Sequence, residues 1–184
     1  MIFWITGEPC SGKSTLMKSL VGRMNVSSPL NKFISFGNGK CMKINNTLVM
    51  GNYLGKGKCP GLDYLQPSLT NLEMFIKKEY PKYDILIETF LSRYLKINFL
   101  HKLINQYKIK IFHLQTDMTE LDKRAIKRNM SWDKNRTDYG KFKVKQEVYD
   151  ILSDDIIKPH VIPLINNTTE DLSNNVKFIE KFIP

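Results

Sequence analysis

The sequence predicts an α/β protein: a three-layer sandwich with a mostly parallel β-sheet and helices on both faces. Three observations carry this. Short apolar, β-rich segments alternate with longer segments of helical periodicity along the whole chain. The first apolar segment runs straight into a glycine-rich loop, and an amphipathic helix follows. No apolar run approaches the ~20 residues needed to cross a bilayer. At 184 residues, the chain has the length of one compact domain with a sizeable core. Residues 1–184 are therefore read as a single domain.

Ile2 to Thr6 is a buried strand that ends at Gly7. From Ser14 onward, Leu16, Leu20, Val21 and Met24 fall on one helical face. Residues 28–66 hold six of the ten glycines, with β-like pieces at Lys32–Phe36 and Thr47–Tyr53. They predict strands and a long functional loop, with an acceptor-side segment over about 36–66. Pro67 opens a helix to about Tyr80, with Leu69, Leu72 and Ile76 inward. Tyr83–Glu88 is a second strong strand, and it ends on an acid. A helix over 95–107 and a strand over Ile109–Leu114 follow. Asp117 or Thr119 caps a helix through Arg128, and 141–152 is a further helix. His160–Ile165 is the last strand and Thr168–Phe182 the last helix, with Thr168 as its cap.

Gly7-Glu8-Pro9-Cys10-Ser11-Gly12-Lys13-Ser14 fits Gly-x-x-x-x-Gly-Lys-Ser/Thr, between a strand and a helix as that motif requires. The glycines let the backbone curl so that its N–H groups face phosphate, and the helix N-terminus favours negative charge. Gly7, Glu8, Pro9, Cys10, Ser11, Gly12, Lys13, Ser14 and Thr15 are the expected nucleotide-binding positions. Lys13 is expected on the β and γ phosphates, and the Ser14 hydroxyl on Mg²⁺. Glu88, at a strand end beside the loop, is the second expected metal-site residue, or the base that takes the acceptor's proton.

Arg124 and Arg128 share a helix face in a segment rich in basic residues. They predict a lid over about 119–140, extending to Arg136, with guanidinium groups closing on the phosphates. The alternative reading of the same pair is a solvated basic helix face. Asp63 is a candidate acceptor-side base or a turn residue, and Arg93 a phosphate ligand or a solvated side chain. A guanine-specific GTPase site is not met. Its nearest approach, Asn135-Arg136-Thr137-Asp138, has Arg in place of Lys and no strand before it. The loop Asn166–Asp171 offers hydrogen-bonding groups where an adenine ring would lie. His101, His113 and His160 form no ligand-spaced set and are expected to be structural. Cys10, Cys41 and Cys59 have no C-x-x-C spacing and are expected as free thiols.

The net charge of +10 is uneven. Residues 93–145 carry +9, residues 1–92 carry +5 and residues 146–184 carry −4. The middle block suits a polyanionic partner, although a Lys-rich composition alone produces the same count.

In the order of its parts the chain resembles the phage 5-hydroxymethyluracil DNA kinases, a family of P-loop kinases. The phosphate loop is followed by Leu48-Val49-Met50-Gly51-Asn52-Tyr53, an apolar strand ending in Gly-x-Tyr. Then come Gly61-Leu62-Asp63-Tyr64-Leu65, the strand ending at Glu88, and the arginines from Arg124 to Arg136. Leu62 and Tyr64 stand where the family pattern has Thr and Arg, and no Gly follows Glu88. The resemblance implies a P-loop kinase-like fold. It also implies transfer of phosphate from ATP, with Mg²⁺, to the hydroxymethyl group of a modified uracil in DNA. Residues Lys13, Asp63, Glu88, Arg124 and Arg128 would then be catalytic, and ATP would be bound by the loop with Arg124 and Arg128. The alternatives are a nucleoside or nucleoside monophosphate kinase and a non-catalytic nucleotide-dependent switch. DNA or a free nucleotide is the expected partner and no membrane is. The expected compartment is the cytoplasm, the host's if the gene is a phage's.

Overall fold

A computed structural model describes residues 1–27, 32–54, 61–89, 94, 96–127, 146 and 148–183. Among these residues, seven strands form one sheet in the order β2-β3-β4-β5-β1-β6-β7. They are β1 (Ile2–Gly7), β2 (Lys32–Phe36), β3 (Gly39–Ile44), β4 (Thr47–Val49), β5 (Asp84–Glu88), β6 (Ile109–Gln115) and β7 (Val161–Ile165). From β4 to β7 every pairing is parallel, whereas β2 and β3 join antiparallel at one edge.

β1 lies at the centre, between β5 and β6, and is buried along its whole length. That is why its sequence is continuously apolar rather than alternating. Ile2 and Trp4 face one core with Ile85, Ile87 and Ile111; Phe3 and Ile5 face the other with Leu86 and Phe112. Helix α1 (Lys13–Ser27) covers the second core through Leu16, Met17, Leu20 and Val21. The last helix, α6 (Thr169–Glu180), joins it there through Val176 and Ile179. The first core is covered by α3 (Leu69–Glu79), through Leu72, Phe75 and Ile76, and by α4 (Ile97–Gln106), through Phe99, Leu100 and Leu103. Helical residues 148–153 add Val148. A short helix, α2 (Leu62–Leu65), α5 (Met118–Lys127) and a 3-10 turn at Lys158–His160 complete the described helices. The arrangement is the three-layer α/β sandwich that the alternating pattern predicts.

Two details differ from the sequence reading. β4 stops at Val49; the Met50 amide still donates to the Leu86 carbonyl at 2.9 Å, and residues 51–54 lie outside the strand. Residues 39–44, between the two expected β-like pieces, form a strand of their own, β3, with Cys41, Met42 and Ile44 buried. Gly37, at φ +57°, makes the turn that lets β3 fold back on β2. The helix expected over 141–152 falls partly outside the described residues, as do Lys56, Lys58, Cys59, Arg93, Arg128 and Arg136. Among the described residues, no helix is long and apolar enough to cross a membrane.

Candidate functional site

The crevice lies where the chain turns from one side of β1 to the other, at the carboxyl ends of β5, β1, β6 and β7. Such switch points are where open parallel sheets bind ligands. Four strand ends supply the site: Glu88 from β5, the loop from Gly7 to Ser14 after β1, Thr116 after β6 and Asn166 after β7.

Lys13 opens α1 and is only 8% exposed. Its ammonium donates to the carbonyls of Gly7 at 2.9 Å and Glu8 at 2.8 Å, so the loop closes around its own cation. The Ser11 amide donates to the Glu8 carbonyl at 3.1 Å, which tightens the curl. Cys10 holds φ +64°, a strained value for a non-glycine residue. Its side chain packs against Leu121 and Ala125 of α5, which anchors the loop to that helix.

On the other flank, the Ser14 hydroxyl donates to Glu88 Oε1 at 2.6 Å and the Tyr53 hydroxyl donates to Oε2 at 2.6 Å. The buried carboxylate is thus fixed at both oxygens. Gly61 closes over the pair. A Cβ there would lie 2.7 Å from the Tyr53 hydroxyl and 2.9 Å from the Glu88 carbonyl, so no side chain fits without a shift. Ser14 and Glu88 were singled out by sequence, and the structure brings them together. Tyr53 was noticed only as part of Gly-x-Tyr, and its contact with Glu88, 35 positions away, has no sequence signal. Asp63 belongs to α2, two residues beyond Gly61, so its backbone stands on the same flank.

Arg124 sits on α5 with its guanidinium directed to the back of the phosphate loop. It donates to Glu120 Oε1 (2.8 Å) and to the carbonyls of Ser11 (3.3 Å), Asn166 (2.9 Å) and Asn167 (2.9 Å). Beside it opens a cleft of about 680 Å³, lined by Gly12, Thr15, Lys123, Arg124, Lys127 and the loop from Asn166 to Thr169. This loop does two things. Thr168 caps α6 in a reciprocal capping box with Asp171, and the residues just before it wall the cleft. Those hydrogen bonds, chiefly from the Thr168 backbone, hold the Asp171 carboxyl below its usual range.

A second cavity, of about 770 Å³, lies on the opposite flank of the loop, between β6, β7 and residues 148–153. Glu8 and His113 line it. His113 faces Thr6 across the β1–β6 register and is buried, and its Nδ1 has no partner among the described residues. Burial, with a smaller contribution from the Lys13 charge, lowers its pKa from 6.5 to about 4. His101 instead pairs with Asp154 at 2.7 Å, and His160 Nδ1 lies 3.2 Å from the Ile109 carbonyl.

The His113 shift makes stability depend on pH with a definite sign. Between pH 6.5 and about 4 the unfolded chain takes up a proton that the folded chain refuses. Stability is therefore whole above pH 6.5 and falls as the pH drops, by on the order of 3 kcal/mol across the window. Urea unfolding of wild type and His113→Gln at pH 7 and pH 4.5 checks this. The variant should show a flatter pH dependence, and equal slopes would refute it.

No protein-family model matches the sequence, and no curated protein matches it. Among solved structures, the chain is similar to an uncharacterized protein from Eubacterium ventriosum ATCC 27560. The TM-score is 0.52 at 15% identity, covering 100% of this chain and 97% of that one. That likeness is one of fold alone. A shikimate kinase from Bacteroides thetaiotaomicron superimposes with a TM-score of 0.43 at 12% identity, covering 99% of this chain and 97% of that one.

Proposed function

We propose that this chain is a phosphotransferase that binds ATP with Mg²⁺ in the loop from Gly7 to Ser14 and transfers its terminal phosphoryl group to a hydroxyl. The observation that carries the reading is the Ser14–Glu88 contact of 2.6 Å beside the Lys13 ammonium. It places a hydroxyl, a carboxylate and a cation around the mouth of one helix, where a triphosphate would sit. Ser14 and Glu88 are hard oxygen donors and suit Mg²⁺, which uses one or two protein oxygens and completes its shell with water and phosphate. The ion, when bound, would neutralise charge developing on the transferring group.

The chain's own residues divide the rest of the work. Loop amides and Lys13 hold the phosphates, and Tyr53 keeps the Glu88 carboxylate in one orientation. The base occupies the cleft between Arg124 and the Asn166–Thr169 loop, with the Arg124 guanidinium beside it. The acceptor approaches from the side of Gly61 and Asp63. Its oxygen bonds to the γ phosphorus, ADP leaves, and the hydroxyl proton passes to Asp63, to Glu88 or to solvent. A loose transition state asks little of that base.

The acceptor in this reading is the hydroxymethyl group of 5-hydroxymethyluracil in DNA. Support comes from the ordered resemblance from Gly7 to Arg136 and from the +9 of residues 93–145. The hairpin β2–β3 adds exposed Lys32 and Lys40 near the exposed rings of Phe33 and Tyr64. Basic residues interleaved with aromatic ones suit a nucleic-acid strand.

The test offers γ-labelled ATP to hydroxymethyluracil-containing DNA, to ordinary DNA and to a panel of free nucleosides and nucleotides. Mg²⁺-dependent label on the modified DNA alone is the expected result. DNA affinity should fall steeply with salt, because phosphate contacts release counterions. Label only on a free nucleotide would make the chain a nucleotide kinase. ATP binding with no transfer to any acceptor would make it a switch.

A further inference from the structure

The carbonyl of Ser11 accepts from three side chains on three elements. Asn166 Nδ2 donates at 2.5 Å, Arg124 Nη1 at 3.3 Å and Thr116 Oγ1 at 3.4 Å. A carbonyl has two lone pairs, so three donors compete, and the short bond is that of Asn166. The orientation of the Asn166 amide follows from its partner. The Ser11 oxygen can only accept, so the nitrogen end must face it.

Asn166 is 2% exposed and its Oδ1 has no partner among the described residues. A buried, unsatisfied amide oxygen is costly. An apolar residue would avoid that cost, so the side chain is kept for its other end. Asn166 is held firmly enough to act as an anchor. Its backbone N–H donates to the Gln115 carbonyl at 2.8 Å, and its own carbonyl accepts from Arg124 at 2.9 Å and, at 3.3 Å, shares the single Thr116 hydroxyl proton with Ser11. Gly12 lies directly against it: a Cβ on Gly12 would stand 2.5 Å from Asn166 Nδ2, on a backbone already at φ +94°.

The peptide that joins Ser11 to Gly12 is trans, so its C=O and N–H point to opposite sides. Holding the Ser11 carbonyl toward Asn166 turns the Gly12 N–H away from it. Gly12 is where α1 begins, since its carbonyl accepts from the Leu16 amide at 2.9 Å. Its N–H therefore belongs to the donors at the helix mouth that the helix itself cannot satisfy. We propose that Asn166 is a positioning residue for the phosphate loop: its Nδ2–H fixes the Ser11–Gly12 peptide so that the Gly12 N–H faces the bound phosphates. The inference rests on the reading of Gly7–Ser14 as a triphosphate site. It adds that the strand end after β7 controls the affinity for the phosphates, separately from the base cleft that it also walls.

Calorimetric titration of wild type, Asn166→Ala and Asn166→Asp with Mg-ATP, and with adenosine by competition, tests the assignment between pH 5 and pH 8. Asn166→Ala should weaken Mg-ATP by about tenfold, the value of one hydrogen bond to a charged group. Because Asn166 also walls the base cleft, adenosine affinity should fall as well, but by clearly less than that of Mg-ATP. Asn166→Asp is isosteric but loses the donor when ionised, so at pH 8 it should bind Mg-ATP more weakly than Asn166→Ala. As its carboxyl regains a proton toward pH 5, it should recover relative to wild type, and Asn166→Ala should not. A merely structural side chain would not produce that crossover. Equal losses for adenosine and Mg-ATP, or unchanged Mg-ATP affinity in both variants, would overturn the role of Asn166. If the alanine variant does not fold, the pH course of Asn166→Asp decides alone. Absence of Mg-ATP binding by wild type would instead overturn the triphosphate reading itself.

Discussion

Lys13→Ala should lose at least about 10²–10³-fold in turnover, the range seen when one preorganised donor to developing charge is removed. The side chain is buried within the loop, and its ammonium already rests on the Gly7 and Glu8 carbonyls. Without that ammonium, an incoming triphosphate would lose its positively charged partner in the loop, and the two carbonyls would lose their donor. Lys13→Arg should not restore activity, because a planar fork is no substitute for a compact ammonium in so small a ring. A nucleotide-turnover assay beside a melting curve checks the result. Wild-type turnover in a folded Lys13→Ala protein would sink the phosphate-loop reading. A side effect serves as control: the Lys13 charge helps to lower the His113 pKa, so the variant's His113 should titrate at higher pH.

Glu88→Gln should fold normally and lose about 10²-fold in turnover, with Mg-ATP affinity changed only a few-fold. The substitution keeps the volume of a side chain that is 6% exposed, and the Ser14 and Tyr53 hydroxyls can rotate to meet an amide. What it removes is the negative charge that the proposed Mg²⁺ site needs. Tyr53→Phe should show a milder loss of roughly tenfold, since it frees one carboxylate oxygen without removing the charge. Kinetics at graded Mg²⁺ separate the two, with Glu88→Gln needing the greater excess. Full activity of Glu88→Gln would show that the carboxylate serves the fold and not the reaction.

These residues differ in how far the sequence reveals them. The loop from Gly7 to Ser14 is legible as a candidate site because its pattern is local: consecutive residues carry it. β1 and β5 are legible because burial on both faces imposes continuous apolarity. Thr168 is legible because a cap bonds three residues ahead. Arg124 is legible only as a basic residue on a helix face. Its direction is set by carbonyls 113, 42 and 43 positions away, which no periodicity encodes. The Ser11–Asn166 bond spans 155 positions and is equally hidden. β3 was missed for another reason. Lys40 and Lys43 interrupt its apolar residues, and only the turn at Gly37 shows that Cys41, Met42 and Ile44 belong to a sheet.

The two outer strands have a consequence for how the protein behaves in a crowded solution. Among the described residues the sheet ends in two edge strands, β2 and β7, and the outer backbone groups of an edge strand are a template on which a neighbouring chain can add. At one rim Lys32 stands opposite Lys43, and an added strand would have to bring its own residues against that doubled positive charge. At the other rim Pro163 interrupts β7 with a residue that has no N–H to offer. Growth by strand addition meets charge at one rim and a missing donor at the other, so the sheet terminates itself chemically at both ends.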